Sequence, residues 1–127
     1  MFITVDPEDP RPIYHQVADS IRVLIAGRDL LPGAALPPVR QVASDLGVSQ
    51  NTIALAYREL QGEGLVEIRH GSGAVVARRR VAPGSAGAPA DDLRPQIRSL
   101  LAQLLLGGLT RPEIVRVVRE ELEELGR

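Results

Sequence analysis

Residues Pro37–Ala77, PPVRQVASDLGVSQNTIALAYRELQGEGLVEIRHGSGAVVA, constrain the fold of this chain more than any other stretch. Ala43, Gly47 and Ile53 fall roughly four and six residues apart. This spacing puts a small residue where two helices cross, a glycine in the turn between them, and a branched apolar residue on the buried side of the second. The second half alternates β-prone and apolar residues around His70-Gly71-Ser72-Gly73, which reads as strand, glycine-rich turn, strand. The stretch therefore predicts a helix-turn-helix followed by a β-wing, an arrangement suited to placing one helix in a DNA major groove.

Periodicity extends the pattern in both directions. Phe2–Val5 is a short β-prone run, readable as an edge strand or a loose arm, closed by the proline- and acid-rich DPEDPRP. Ile13, Val17, Ile21, Leu24 and Ile25 recur at helical spacing, predicting a helix over Ile13–Ala26 with Pro12 at its entrance and Gly27 as its cap. Pro32-Gly33 marks a turn in the connection that follows. The first helix of the motif is expected over Pro38–Leu46, with Val39, Val42, Ala43 and Leu46 inward. Pro38 suits a first helical position, where its missing N–H would be unpaired anyway, and Gly47 supplies a left-handed cap. The next helix opens on Ser49, a good N-cap, and buries Ile53, Ala56 or Tyr57, and Leu60, with Gly62 and Gly64 bracketing its end.

From Arg78 the character changes. Three arginines lead into VAPGSAGAPA, a linker composition. Two further helices are expected beyond it. Asp91 or Asp92 caps the first, with an apolar face of Leu93, Ile97, Leu100, Leu101, Leu104 and Leu105, stopped by Gly107-Gly108. Thr110-Arg-Pro-Glu113 has the pattern of a capping box for the second, whose stripe is Ile114, Val117, Val118, Leu122 and Leu125. Two short helices with broad apolar faces cannot bury them alone, so they call for the rest of the chain or, the favoured reading, a second copy. The expected fold is mostly α with a small β-wing. A winged helix-turn-helix domain takes residues 1–77, a linker 78–90, and a two-helix dimerisation segment 91–127.

Composition excludes several classes. The chain has no cysteine, hence no disulfide framework and no thiolate metal site. His15, beside Tyr14, has no His/Asp/Glu cluster around it, so no metal and no cofactor is expected. No acid–base pair or nucleophile arrangement appears, and Ser72 has only His70 beside it, so the chain does not read as an enzyme. Gly71-Ser72-Gly73 is followed by no helix and no lysine, which argues against a phosphate-binding loop. Without a long apolar run or a basic, apolar leader, a soluble cytoplasmic protein is the default expectation. All 15 basic side chains are arginine, and the net charge is only −1. Each basic group is thus a planar fork that matches phosphate or guanine.

The candidate contact residues follow from this layout. Ser49-Gln50-Asn51-Thr52 form the exposed N-terminal turn of the second motif helix. Gln and Asn can pair with adenine, and Ser and Thr with phosphate or the thymine methyl. Arg40, in the first turn of the preceding helix, is either a phosphate anchor or an ordinary solvated arginine. Arg69 and His70 at the wing tip are either groove contacts or an exposed hairpin end. Arg58 lies past the groove-facing end of its helix and ranks lower. Arg78–Arg80 either touch phosphate or charge the linker entry.

The run GAALPPVRQVASDLGVSQNTIALAYRELQGEGLVEIRHGSGAVV resembles the DNA-binding domain of GntR-type bacterial transcription regulators. The match rests on a Leu-Pro pair, an arginine three residues on, Leu-Gly-Val-Ser, Ala-Tyr, Glu-Gly and a Gly-x-Gly wing turn. Upstream, Pro12-Ile13-Tyr14-His15-Gln16 looks like the short YtrA-like branch. The resemblance covers roughly residues 10–77. It implies a homodimeric repressor of a small, often transporter-linked operon, reading a palindromic duplex operator. By motif position it implies DNA contacts at Arg40, Ser49, Gln50, Asn51, Thr52, His70 and Gly71. The family often has arginine where Gln50 stands and a basic residue where Ala54 stands, so this helix is more polar and less charged. Pro38 replaces the usual serine cap. The C-terminal segment resembles the branch's two-helix dimerisation segment and is too short for an aminotransferase-like domain. Two alternatives are a sensor binding a small-molecule effector near the C-terminal helices, and a protein-interaction module that keeps the winged-helix shape without DNA.

Overall fold

The computed structural model describes residues 3–69, 73–78 and 87–125. His70 and Gly71 of the expected wing tip, Arg79, Arg80 and most of the expected linker lie outside the described residues. Chain contacts divide the protein into two compact units, Met1–Arg79 and Arg80–Arg127.

In the first unit the order is α1 (Ile13–Ala26), α2 (Val39–Leu46), α3 (Gln50–Gly62), β1 (Val66–Arg69) and β2 (Gly73–Val76). The α2–α3 turn forms as the spacing requires. Gly47 takes φ +70, and its N–H and that of Val48 close the end of α2 onto Ala43 and Ser44. Pro38 stands one residue outside α2 rather than inside it, with an extended ψ of 145°. Val17, Ala18 and Ile21 of α1, Val42 and Ala43 of α2, and Ile53, Ala56, Tyr57 and Leu60 of α3 make one core with Val66, Ala74 and Val76 of the wing. Small residues at Ala18, Ala43 and Ala56 let the three helices approach closely. With so few aromatics, branched aliphatics supply most of the buried area.

The wing pairs antiparallel in the register Val66↔Val76 to Arg69↔Gly73. It gains a third member that local patterning did not reveal. Ala35 bridges Val75; Leu36 N–H donates to the Ala74 carbonyl at 2.8 Å and Val76 N–H to Ala34 at 2.8 Å. The Pro32-Gly33 turn aims residues 34–36 along β2, fastening the wing to the α1–α2 connection. Gly33, at φ +87, also gives room to the Arg78 guanidinium, which a β-carbon there would meet at 2.6 Å.

The N-terminal segment is neither an edge strand nor a loose arm. Buried Gln16 holds it to α1, accepting from Asp6 N–H at 2.7 Å and donating to the Arg11 carbonyl at 3.0 Å. Ile3 and Val5 then pack on the core. At the other end of α1, Arg28 rather than Gly27 takes the left-handed conformation, at φ +65. The N–H groups of Asp29 and Leu30 both return to the Leu24 carbonyl, and Gly27 is buried at φ −80.

The second unit is a helical hairpin of α4 (Gly87–Leu106) and α5 (Arg111–Leu125). The helix expected to open at Asp91 or Asp92 begins at Gly87 instead. The early start is permitted because Pro89 falls in the first turn, where a missing N–H breaks no helical bond. Pro95 lies inside α4 and cannot donate to the carbonyl four residues earlier. The capping box forms: Thr110 N–H donates to Glu113 at 2.9 Å, and Glu113 N–H to the Thr110 hydroxyl at 3.4 Å. The Thr110 N–H and the Thr110 hydroxyl, at 2.8 Å, both donate to the Glu113 carboxylate and hold it below its usual range. Ile114 is buried, but Leu93, Ile97, Leu100, Leu105, Val115, Val118 and Leu122 are exposed. No described helix is long and apolar enough to cross a membrane.

Candidate nucleic-acid interface

The site is built on α3. Ser49 caps the helix, its hydroxyl accepting from Thr52 N–H at 3.2 Å and lying 2.9 Å from the Thr52 hydroxyl. These two hydroxyls therefore order the helix entrance first, leaving Gln50 and Asn51 as the exposed, uncommitted amides of the turn. Arg40 projects from the first turn of α2. It shares a depression with Pro38, Gln41, Ser44 and Asp45.

Tyr57 connects the two helices below this surface. It is only 2% exposed, and its hydroxyl donates to the Pro37 carbonyl at 2.6 Å. Burial pushes the phenol up to about 12. The bond pins the chain just before α2 to the body of α3, and so sets where Arg40 stands relative to Gln50 and Asn51.

The two flanks of α3 differ in charge. On the α1 side, Glu59 and Glu63 are held by Arg22, which also reaches Asp19; the Arg22–Glu59 contact is 3.1 Å. His15 Nδ1 lies 3.4 Å from Glu59. Hydrogen bonding to Glu63, opposed by burial and assisted by Asp19, raises the Arg22 guanidinium above its ordinary value. The Glu59 and Glu63 carboxylates are thus neutralised within the protein. On the opposite flank, Asn51, Ala54 and Arg58 line a crevice of about 380 Å³ between α3 and the wing. Pro38, Ile68 and Ala74 complete its wall.

Ser49, Gln50, Asn51 and Thr52 stand together at the entrance of α3, and Arg40 stands in the first turn of α2. Arg69 stands apart at the end of β1, weakly paired with Glu67 at 3.5 Å. Arg58, the lower-ranked candidate, lies in the crevice wall with Asn51 and Ala54. It is seven residues after Asn51 and four after Ala54, so helical spacing alone sets all three on one stripe. The crevice beside that stripe could not be read locally, because Ile68 and Ala74 come from the wing. Among the described residues no His/Asp/Glu group could hold a metal ion.

Residues 13–76, which span this surface, match the family described as bacterial regulatory proteins, gntR family. The chain belongs to the GntR family. Among relatives, it is 35% identical over 75 residues to the HTH-type transcriptional repressor YtrA of Bacillus subtilis, covering 59% of this chain and 58% of that protein. The chain thus spans less than two thirds of that relative's length. It is 31% identical over 115 residues to the HTH-type transcriptional regulator Rv1152 of Mycobacterium tuberculosis, covering 91% of this chain and 89% of that one. Among solved structures, the AraR DNA-binding domain in complex with operator ORX1 superposes with TM-score 0.53. That match has 30% identity and covers 58% of this chain and 92% of that one. The GntR match ends at Val76, so α4 and α5 fall outside the family's shared region.

Proposed function

We propose that this GntR-family chain is a sequence-specific transcription regulator, a homodimeric repressor that reads a palindromic operator. The observation that carries the reading is the N-terminal turn of α3. Ser49 and Thr52 order it, and exposed Gln50 and Asn51 stand on it. A helix presented in this way offers amide side chains to base edges and N-terminal N–H groups to phosphate. AraR's DNA-binding domain, solved with its operator, and YtrA, a repressor, support the same use of the fold here.

Dimerisation through α4 and α5 is supported by their exposed leucines and valines, which a second copy would cover. Two recognition helices held this way would meet half-sites about 34 Å apart, one turn of the duplex. In this reading Arg40, and the wing end with Arg69, His70 and Gly71, supply backbone contacts, and Gln50, Asn51 and Thr52 most of the base choice.

The test is selection of bound duplexes from a random pool, then titration of variants on the selected and a scrambled duplex. Arg40→Ala weakens both alike. Gln50→Ala loses about 1–3 kcal/mol on the selected duplex and little on the scrambled one. Equal losses on both duplexes for Gln50→Ala would remove its role in specificity. Failure to recover any duplex would remove the DNA-binding reading altogether.

A further inference from the structure

We infer that the crevice between α3 and the wing seats one sugar–phosphate strand of the duplex, and that Arg58 is its phosphate contact. The inference rests on the DNA-binding reading above. A duplex whose major groove receives α3 and whose minor groove faces the wing must pass the strand separating those grooves between the two elements. The crevice lies at that position, open between Asn51, Ala54 and Arg58 on one wall and Ile68 and Ala74 on the other.

Its lining suits a backbone rather than base edges. Pro38, Ala54, Ile68 and Ala74 present carbon, and Ile68 is 43% exposed, an unusual position for isoleucine on a wing strand. Carbon surfaces of this kind match the faces of deoxyribose. They offer nothing that distinguishes one base from another. Ala54 keeps the wall low, so that a strand can approach the helix axis. Gly73, opposite, leaves open space where a side chain would begin.

The charge required by a phosphate comes from Arg58. It is exposed, and among the described residues it has no ion pair or hydrogen-bond partner, unlike Arg22, Arg11 and Arg69. No carboxylate lines the crevice. The acids on α3, Glu59 and Glu63, lie on the other flank and are held by Arg22. Arg58 thus places one cation a full turn beyond Ala54, on the same stripe, and brings charge to a recognition helix that otherwise carries none on its exposed side.

The experiment titrates wild type, Arg58→Ala and Arg58→Lys against the duplex selected by wild type and against a scrambled one, over 50–300 mM salt. Melting temperatures are measured alongside. Arg58→Ala is expected to lose roughly 5–10-fold on both duplexes. Its log–log salt slope should fall by about 0.9 per half-site, and its melting temperature should not change. Arg58→Lys, still a cation, should recover most of the slope. Arg58→Ala with wild-type affinity and slope would overturn the inference while leaving the DNA reading intact. A loss confined to the selected duplex would also overturn it, making Arg58 a base contact. Wild type that binds no duplex would overturn both.

Discussion

Tyr57→Phe isolates the contact that fixes α2 against α3. The substitution removes one hydroxyl from a side chain that is 2% exposed, and with it the 2.6 Å bond to the Pro37 carbonyl. A net hydrogen bond contributes about 1 kcal/mol, and a buried carbonyl left unpaired adds to the loss, giving about 1–2 kcal/mol at pH 7. For a unit of this size that lowers the melting temperature by about 5–10 °C. The same hydroxyl makes a second, independent prediction. Burial keeps Tyr57 protonated up to about 12 in the folded state, whereas the unfolded chain releases the proton near the ordinary 10. The contribution is therefore fully present below pH 10 and is lost as the pH rises from 10 to 12, by about 2–3 kcal/mol. The window is unusually clean, because the chain has no lysine or cysteine and only two tyrosines. Tyr14 is present in both proteins and cancels in the comparison. Urea unfolding followed by far-UV circular dichroism, which suits a chain without tryptophan, should show the variant weaker at pH 7 and converging with or passing wild type near pH 12. Parallel curves across that range would refute the argument, since they would mean Tyr57 titrates alike in both states.

Two further outcomes test other parts of the fold. Arg28→Gly should raise the urea midpoint by the equivalent of about 0.5–1 kcal/mol, because Arg28 sits at φ +65, which glycine adopts without strain; a lowered midpoint would show that the arginine side chain stabilises the turn instead. Leu100→Glu combined with Leu122→Glu should weaken self-association at least about 100-fold in sedimentation and lower operator affinity, while the first unit's melting persists; an undiminished dimer would move the interface elsewhere.

What could be read from the sequence, and what could not, divides along contact range. Helices α1, α2 and α3 follow from apolar spacing, and Ser49, Gly47 and the Thr110–Glu113 box work as their residue types suggest, because each depends on neighbours within four positions. The features that escaped join residues far apart. Gln16 reaches back to Asp6, Ala35 pairs with Val75, and Tyr57 reaches Pro37. None leaves a periodic trace. Gly27 caps α1 as its residue type suggests, but the left-handed residue falls one position later. Local preference assigns the left-handed cap to glycine, but Gly27 is buried and the turn passes that conformation to Arg28, where Leu30 can still reach the core.

For the candidate site this division has a consequence. Gln50 and Asn51 are legible because a polar turn after a capping serine is a local signal. The crevice is not, since its second wall is formed by Ile68 and Ala74 only once the wing has folded back. The hydrogen bonds of residues 34–36 to β2 hold that wall in place, while Pro37 and Pro38 of the same connection line the crevice itself. In the proposed DNA reading, the polar end of α3 and the cationic end at Arg58 take separable tasks, base choice and backbone affinity. A helix with arginine at both Gln50 and Ala54 would combine them. Moving the charge to Arg58 leaves Gln50 and Asn51 as neutral groups, whose hydrogen bonds lapse when a base pair is wrong, while the salt-dependent attraction stays the same on every sequence.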